Sequence, residues 1–360
     1  MEDAPIENEC RALTTLERKR LKRVCRICKI EPKWGNAVTL NWDVITFLQR
    51  LLPMLRQYGV PVQKVLLVGG AASHVVCSEY RYTDLDFVLP IESVFSNTGE
   101  DRVFQSIQPA IFSLLQMQNS GFIDANTYIQ KKFKLDEYSV TGRMDADLWS
   151  IFSFNNNKGR HVELKFVSRL KRKYIFSTDS MEIDITPVIW NENQELTRER
   201  DWALTRLTSS FGDLQMAERN LRGRIIDTKN PEAIKGGGFL KYVHMKTKHF
   251  VDGKTGEELV EMQKEMARAF LQQLYPFLDR RSTFEPVSHF ILTHFHSGNL
   301  DAKLKFLEML QELCHSEALA ELHSQLVPPM DLIVIQEKTK INDAVKELRK
   351  PPTSENGESS

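Results

Sequence analysis

The chain has 360 residues, of which 41% are hydrophobic and 27% charged, a length and composition that allow two packed domains with a sizeable core. Its 48 basic and 48 acidic residues balance, so any nucleic-acid binding must come from local patches. No apolar run is long enough to span a bilayer, which argues against membrane insertion. Five cysteines, an odd number, predict free thiols in a reducing compartment.

Residues 1–34 are polar and basic and are predicted to form an N-terminal arm. The first residues are acidic and lack the apolar core of a signal peptide. The basic cluster is either a solvated arm or helix face, or a contact for the RNA backbone or a localisation signal. It comprises Arg18, Lys19, Arg20, Lys22, Arg23, Arg26 and Lys29. The lone Cys-x-x-Cys pair at 25–28 does not favour zinc, because a second pair at metal spacing is missing.

Residues 35–196 predict a mixed α/β domain. A helix is expected to start near Asn41 and to be broken or kinked by Pro53, and a second helix covers about 103–117. Strands are predicted at 65–68, 84–89, 148–154, 161–167, 174–176 and 181–189. Residues 197–335 read as a helical domain, with strong helix formers at 258–274 and 300–322. Residues 336–360 are charged and rich in Pro and Ser, which predicts a disordered tail.

The most informative motif is an apolar strand that ends at Gly69-Gly70, followed by a short helix and then Thr-Asp-Leu-Asp-Phe-Val-Leu at 83–89. Because side chains alternate along a strand, Asp84 and Asp86 share one face while Leu85 and Phe87 enter the core. Paired carboxylates suit Mg²⁺, and backbone N–H groups at the glycine turn can bind phosphate. Asp-x-Asp alone is weak evidence for a catalytic site, since most such pairs lie on solvated strand faces. The order of strand, glycine turn, short helix and Asp-x-Asp favours a nucleotidyl transferase.

A third carboxylate in a later apolar strand would complete this set. Glu163 and Asp184 are both candidates, since each lies in a strand-like apolar context. The local pattern by itself does not separate them.

The chain resembles the animal non-canonical poly(A) polymerases of the fifth terminal-nucleotidyltransferase group, in the DNA-polymerase-β-like superfamily. The resemblance runs from about 36 to about 310. Its stretches are Gly-Ala-Ala-Ser-His-Val at 70–75, Tyr-Thr-Asp-Leu-Asp-Phe at 82–87, Val-Glu-Leu-Lys-Phe-Val at 162–167, Phe-Ser-Thr-Asp-Ser at 176–180, Gly-Asp at 212–213, Asn-Pro-Glu at 230–232 and Lys-Gly-Gly-Gly-Phe-Leu-Lys-Tyr at 235–242. It implies an α+β fold: a polymerase-β-like catalytic domain with a mixed sheet flanked by helices, packed against a helical domain with a cleft between them.

The resemblance also implies the activity: template-independent addition of AMP from ATP to RNA 3′ ends, with Mg²⁺ or alternatively Mn²⁺, by a two-metal mechanism. It assigns the metals to Asp84 and Asp86 and selects Glu163 over Asp184 as the third ligand. The expected partners are ATP, the poly(A) end of mRNA and unidentified proteins, in the cytoplasm or alternatively also in the nucleus.

Further site residues are expected for the nucleotide and for RNA. The nucleotide set is Gly69, Gly70, Ser73, Lys235, Gly236, Gly237, Lys241 and Tyr242, and the RNA set is Lys171, Arg172 and Lys173. Tyr242 either stacks on a base or belongs to the core. The basic run at 171–173 is expected at the tip of a hairpin, where it contacts RNA phosphates or is simply solvated.

The sequence departs from the family at Gly70, where relatives carry a serine whose hydroxyl would contact phosphate. Two alternatives therefore stay open: a weak or silent relative that acts as a scaffold for RNA or protein, and an enzyme that modifies a different acceptor.

Overall fold

The computed structural model describes residues 9–26, 28–31, 39–91, 102–118, 129–135, 148–154, 161–169, 175–190, 199–229, 237–278, 285–295 and 298–348. The chain divides into two compact units, Met1–Lys229 and Asn230–Ser360. The boundary proposed from sequence at 196/197 therefore falls inside the first unit. The reason is that the strand Arg206–Ser209 pairs with Met181–Asp184 and so completes the sheet of the first unit.

The first unit contains thirteen strands, seven α-helices and a 3-10 helix (Ser177–Asp179) among its described residues. The strands are β1 (Arg11–Ala12), β2 (Cys28–Ile30), β3 (Leu40–Trp42), β4 (Leu66–Val68), β5 (Asp84–Pro90), β6 (Ile129–Leu135), β7 (Leu148–Phe154), β8 (His161–Arg169), β9 (Ile175–Phe176), β10 (Met181–Asp184), β11 (Arg206–Ser209), β12 (Ile225–Ile226) and β13 (Thr228–Lys229). The helices are α1 (Thr15–Val24), α2 (Val44–Gln57), α3 (Gly69–Val76), α4 (Arg102–Gln118), α5 (Thr186–Ile189), α6 (Glu199–Ala203) and α7 (Leu214–Gly223).

An eight-stranded mixed sheet organises this unit, in the order β1-β11-β10-β4-β5-β8-β7-β6. β5 and β8 run parallel, whereas the other neighbours that pair with them, β4 and β7, run antiparallel. Along β5 the side chains alternate between buried and half-buried, and Leu85, Phe87 and Leu89 enter the core. The predicted alternation is therefore present, and it leaves both aspartates on the opposite face.

The N-terminal segment is folded into the first unit. Thr14 accepts a hydrogen bond from the N–H of Glu17, and Glu17 accepts one from the N–H of Thr14, so a capping box starts α1. Leu21 and Val24 on α1 are buried in the same core as the sheet. The described part of the predicted arm therefore packs, because its apolar residues recur at helical spacing between the basic ones.

Three local expectations need correction. α2 starts at Val44 with Asp43 as its cap, and it continues past Pro53 to Gln57, whereas Asn41 lies in β3. The last predicted strand ends at Asp184, after which α5 begins. β9 pairs with β13 and not with β8, so the segment between β8 and β9 does not close a hairpin.

The described part of the second unit is helical apart from a short strand, β14 (Val251–Asp252). Its helices are α8 (Gly237–Thr247), α9 (Gly256–Leu278), α10 (Pro286–His294), α11 (Leu300–Cys314) and α12 (His323–Leu348), with a 3-10 helix at Glu317–Leu322 before α12. Phe239 of α8 packs against Phe270 of α9 in the core of this unit. With a mixed sheet in one unit and helices in the other, the predicted α+β class is confirmed.

The segment predicted as a disordered tail is helical as far as Leu348, because α12 buries Ile333, Val334 and Ile341 along one face. Residues 349–360 lie outside the described residues. Across the described part of both units, no helix combines the length and apolar character needed to cross a membrane.

Candidate active site

Acidic side chains share one face of the sheet where β5 and β8 run side by side. In the parallel register Asp86 lies opposite Glu163, and Asp84 lies opposite His161. Adjacent strands are roughly 4.8 Å apart, so the Asp86 and Glu163 backbones are near neighbours. All four residues occupy the half-buried positions of their strands. The fold therefore gathers the three predicted carboxylates, together with an imidazole, on a single face.

Asp184 lies elsewhere on the sheet. It pairs with Leu66 of β4, whereas Asp86 lies in register with Val68 of the same strand. Two strand spacings and one two-residue step separate Asp184 from Asp86, which is roughly 12 Å between Cα atoms. Its Oδ1 atom accepts a hydrogen bond of 2.9 Å from the N–H of Thr186 at the start of α5. The geometry thus groups Glu163, and not Asp184, with the aspartate pair.

Lys165 neutralises part of this acidic face. Its Nζ atom lies 2.8 Å from Oδ1 of Asp86 and 3.4 Å from Oε2 of Glu163. Burial disfavours the charge on Lys165, but the two carboxylates outweigh burial and raise the pKa of its ammonium group. Lys165 follows Glu163 by two residues along β8, which places both side chains on the same face. Lys165 belongs to the Val-Glu-Leu-Lys-Phe-Val motif at 162–167, but the sequence alone assigns it no role.

Asp84 has a different environment. Its Oδ1 atom is buried and has no hydrogen-bond partner among the described residues. Burial, followed by the charges of Asp86 and Glu163, raises the pKa of Asp84 to about 7. A buried carboxylate oxygen without a donor is costly, and a cation would remove that cost. The donor set therefore fits a hard divalent ion such as Mg²⁺.

The side chains of Asp84, Asp86, His161 and Glu163 lie on one face but do not converge on a single point. Within the described residues, no group of three or more His, Cys, Asp or Glu side chains is gathered closely enough to enclose a metal. Lys165 lies against Asp86 and Glu163, and Ser153 of β7 donates a 3.0 Å hydrogen bond to Oε1 of Glu163. Ser153 was missed from the sequence, since only the pairing of β7 with β8 brings it there.

The glycine turn lies directly beside the carboxylates. Gly69 has φ +66°, and a Cβ atom added there would lie 3.1 Å from Oδ2 of Asp86. Only glycine adopts this conformation readily, and only glycine allows this approach. Gly69 and Gly70 are the first two residues of α3, so their N–H groups belong to the orphan donors at a helix start. Such donors favour a phosphate group next to the acidic face.

Gly70 has little room for a side chain. It belongs to α3 and has an ordinary helical backbone. A Cβ atom at this position would lie 3.2 Å from Cβ of Tyr82 and 3.7 Å from Cε1 of Tyr80. The Tyr80 hydroxyl donates a 2.5 Å hydrogen bond to Oδ1 of Asp179, which fixes the ring. A serine at this position would therefore need Tyr82 to shift by a few tenths of an ångström.

The structure removes Ser73 from the predicted phosphate contacts. Ser73 is fully buried, and its hydroxyl donates a 2.7 Å hydrogen bond to the backbone oxygen of Thr178. Ser73 lies more than one turn into α3, and its side chain anchors that helix against the segment before β10. Its contribution to the glycine turn is therefore indirect.

Tyr242 is likewise a core residue and not a base-stacking platform. It is 1% exposed, and its hydroxyl donates to Oδ1 of Asp252 and accepts from Nε2 of Gln263, both at 2.7 Å. The neighbouring Lys241 is half-buried, and Gly237 is the first residue of α8. The other predicted nucleotide and RNA contacts, Lys235, Gly236, Lys171, Arg172 and Lys173, lie outside the described residues.

The chain is similar in sequence to known nucleotidyltransferases. A sequence model described as nucleotidyltransferase matches residues 14–335. Terminal nucleotidyltransferase 5B of Xenopus tropicalis is 31% identical over 293 residues, which cover 78% of this chain and 70% of that protein. The human terminal nucleotidyltransferase 5B (Homo sapiens) is 28% identical over 312 residues, covering 83% and 70%. Terminal nucleotidyltransferase 5C of Rattus norvegicus is 27% identical over 307 residues, covering 83% and 75%.

A solved CCA-adding enzyme in complex with ATP covers 94% of this chain and 73% of its own, with 12% identity and a TM-score of 0.38. That similarity is too low to inform the fold or the ligand.

Proposed function

The chain belongs to the nucleotidyltransferase family and within it to the terminal nucleotidyltransferase 5 group, and from this premise we propose that it adds AMP from ATP to RNA 3′ ends. The proposed acceptor is the poly(A) end of mRNA and the proposed compartment is the cytoplasm. The observation that carries the proposal is the acidic face, where Asp84, Asp86 and Glu163 lie beside the Gly69 turn.

In this proposal Asp84, Asp86 and Glu163 hold divalent ions, Mg²⁺ or alternatively Mn²⁺. When bound, such ions activate a 3′-hydroxyl and neutralise charge on the triphosphate. The unpartnered Oδ1 atom of Asp84 and the raised pKa of its carboxyl group support this role, because a bound cation would stabilise the charged form of this carboxylate.

The remaining roles belong to groups of the chain itself. The N–H groups of Gly69 and Gly70 bind phosphate oxygens, and the missing side chain at Gly69 lets the phosphate approach Asp86. Lys165 holds Asp86 and Glu163 together while no other cation is present. Lys235, Gly236, Gly237 and Lys241 remain predicted nucleotide contacts, and residues 171–173 remain predicted RNA contacts, on the resemblance to the family alone.

A second function, a silent scaffold that binds RNA or protein, is favoured by one observation. Lys165 contacts two of the three carboxylates, and an ammonium group in that position can replace a metal as the structural counter-ion. In a scaffold this contact would be permanent.

Primer extension with purified protein tests the proposal. An oligo(A) primer is incubated with each of the four nucleoside triphosphates separately, with Mg²⁺ or Mn²⁺, and Asp84→Asn serves as the control. Addition of adenylate by the wild type alone is the expected result. Absence of addition with every nucleotide, together with absence of ATP binding by calorimetry, would favour the scaffold instead.

A further inference from the structure

A row of cations follows the outward face of α1. Lys19 and Arg23 are exposed and lie four residues apart, which places them on the same side of the helix. The N–H of Arg26 donates a 3.3 Å hydrogen bond to the carbonyl oxygen of Arg23, so the turn that follows α1 keeps the exposed Arg26 close to Arg23. Leu21 and Val24 occupy the opposite, buried face. We call Lys19, Arg23 and Arg26 the basic stripe.

Other cations of this segment are used inside the protein. Arg18 donates to the carbonyl oxygen of Leu13 at 2.7 Å, and Arg20 donates to that of Val76 at 3.3 Å. Lys22 forms an ion pair with Glu199. These side chains attach α1 to its surroundings, whereas the members of the basic stripe are exposed.

Helix stability accounts for only part of the basic stripe, because Arg23 in the last turn complements the helix dipole whereas Lys19 and Arg23 repel each other. Like charges four residues apart destabilise a helix, whereas alternating signs stabilise it. In α1, which is fully described, Glu17 is the only acidic residue, and it is buried against Arg11. A face of repelling cations without interleaved acids fits a polyanionic ligand better than a merely solvated surface.

The position of the stripe defines which part of such a ligand it meets. α1 packs against α3, and Arg20 reaches Val76, the last residue of α3. Gly69, beside the acidic face, is the first residue of that helix, about 10 Å from Val76 along its axis. A group bound at the stripe is therefore separate from the reacting end of a substrate at the acids.

We propose that the basic stripe binds the phosphodiester backbone of the RNA acceptor, upstream of its 3′ end. This rests on the proposed function for the nature of the acceptor. A localisation signal fits less well, because a linear motif must present consecutive side chains, and Arg18, Arg20 and Lys22 already bind within the folded protein.

Fluorescence anisotropy with a 20-nucleotide oligo(A), without ATP and at several salt concentrations, tests the proposal. Replacing Lys19, Arg23 and Arg26 together by Glu should weaken binding about tenfold or more. It should also lower the slope of log affinity against log salt by about 2, at about 0.7 for each lost phosphate contact on a single strand. A matched control with the same charge change, Arg50→Glu, Arg56→Glu and Lys64→Glu, uses exposed cations of α2 and the segment after it and should leave both quantities near wild type.

A second variant, with Gln at the same three stripe positions, guards against misfolding, and equal melting temperatures would show that α1 is intact. This variant should also reduce the salt slope by about 2, with a smaller loss of affinity. If both stripe variants bind RNA like the control, the proposal is overturned. Unchanged RNA binding with loss of nuclear accumulation would overturn it in favour of a localisation signal.

The assay also separates this inference from the proposed function. Salt-dependent RNA binding through the stripe, by a protein that adds no nucleotide, would retain the inference and reject the activity. For an active protein, extension of a four-nucleotide primer should be the same in wild type and stripe variants, whereas the KM for the 20-nucleotide primer should rise about tenfold.

Discussion

The acidic face of the first unit and helix α8 of the second both come from stretches that resemble the same family, but the motif side chains in these two regions have different surroundings. On β5 and β8 the motif residues Asp84, Asp86 and Glu163 reach one shared face. On α8 the motif residue Tyr242 is buried and hydrogen-bonded to Asp252 and Gln263. A residue can therefore belong to a stretch that resembles the family and still make no contact with a ligand.

The difference follows from backbone geometry. A strand has two faces, so every second residue is assigned once one face is known to be buried. A helix distributes residues all round its axis, and which sector is buried depends on the helices that surround it. The sequence therefore predicts well which side chains share a face on the sheet, and predicts poorly which side chains of α8 are buried. The following experiments test that difference.

The largest effect is expected at the aspartate pair. Asp84→Asn and Asp86→Asn should each reduce nucleotide addition to less than a few per cent of wild type, because a neutral amide cannot replace a charge that holds a metal. Asp84→Asn should fold normally and melt no lower than wild type, since it removes a buried, repelled charge. Primer extension and thermal melting provide the two measurements, and substantial activity of either variant would reject the metal assignment.

The next comparison is between the two candidates for the third carboxylate. Glu163→Gln should be as damaging to extension as the Asp84 change, because Glu163 pairs directly with Asp86. Asp184→Asn should be mild, since among the described residues its Oδ1 atom accepts only from the N–H of Thr186 at the start of α5, and an amide oxygen can still accept that hydrogen bond. The reverse order of activities would place the third ligand on β10.

The glycine turn offers a matched pair of substitutions. Gly69→Ala should destabilise the protein by about 1–2 kcal/mol and also impair extension, because alanine disfavours a positive φ and its Cβ approaches Asp86. Gly70→Ala should cost less, since this residue is helical and meets only the flank of Tyr82. Chemical denaturation of both variants measures the difference, and equal losses would contradict the role of φ at Gly69.

On α8, Tyr242→Phe should lower stability without lowering affinity for ATP. Removing the hydroxyl leaves Oδ1 of Asp252 and Nε2 of Gln263 without this hydrogen bond, a loss of about 1–3 kcal/mol, although Lys246 still pairs with Oδ2 of Asp252. Denaturant melting and ATP calorimetry separate the two roles. Weaker ATP binding at unchanged stability would instead indicate that Tyr242 contacts the nucleotide.

The last prediction concerns pH and His244 of α8, and it tests stability alone. Burial, with the charge of Lys248 as the next cause, lowers the pKa of His244 from 6.5 to about 3. The unfolded chain then binds a proton that the folded one does not, so stability falls by about 1.4 kcal/mol per pH unit below about 6.5. His244→Phe should flatten this decline between pH 6.5 and 4, as measured by denaturant titrations across that range. Parallel curves for the two proteins would contradict it.

Much of the first unit could be predicted from sequence. The strand at 84–89 and the helix at 103–117 were found because their apolar periodicities are regular. The packing of α1 was missed because its basic residues dominate the composition of the segment. The pairing of β9 with β13 could not be foreseen, since strand partners far apart in sequence leave no local signal.

The sequence by itself determined the family, the α+β class and the common face of Asp84 and Asp86, because these depend on motif order and on the two-residue period of a strand. The family resemblance selected Glu163 as the third carboxylate, and the strand register places it beside Asp86. Only the tertiary structure decided that Lys165 lies between two of the acids and that Ser73 and Tyr242 are buried. Those facts depend on strand register and on which helices cover which faces. Both arise from contacts between distant parts of the chain, which no local pattern encodes.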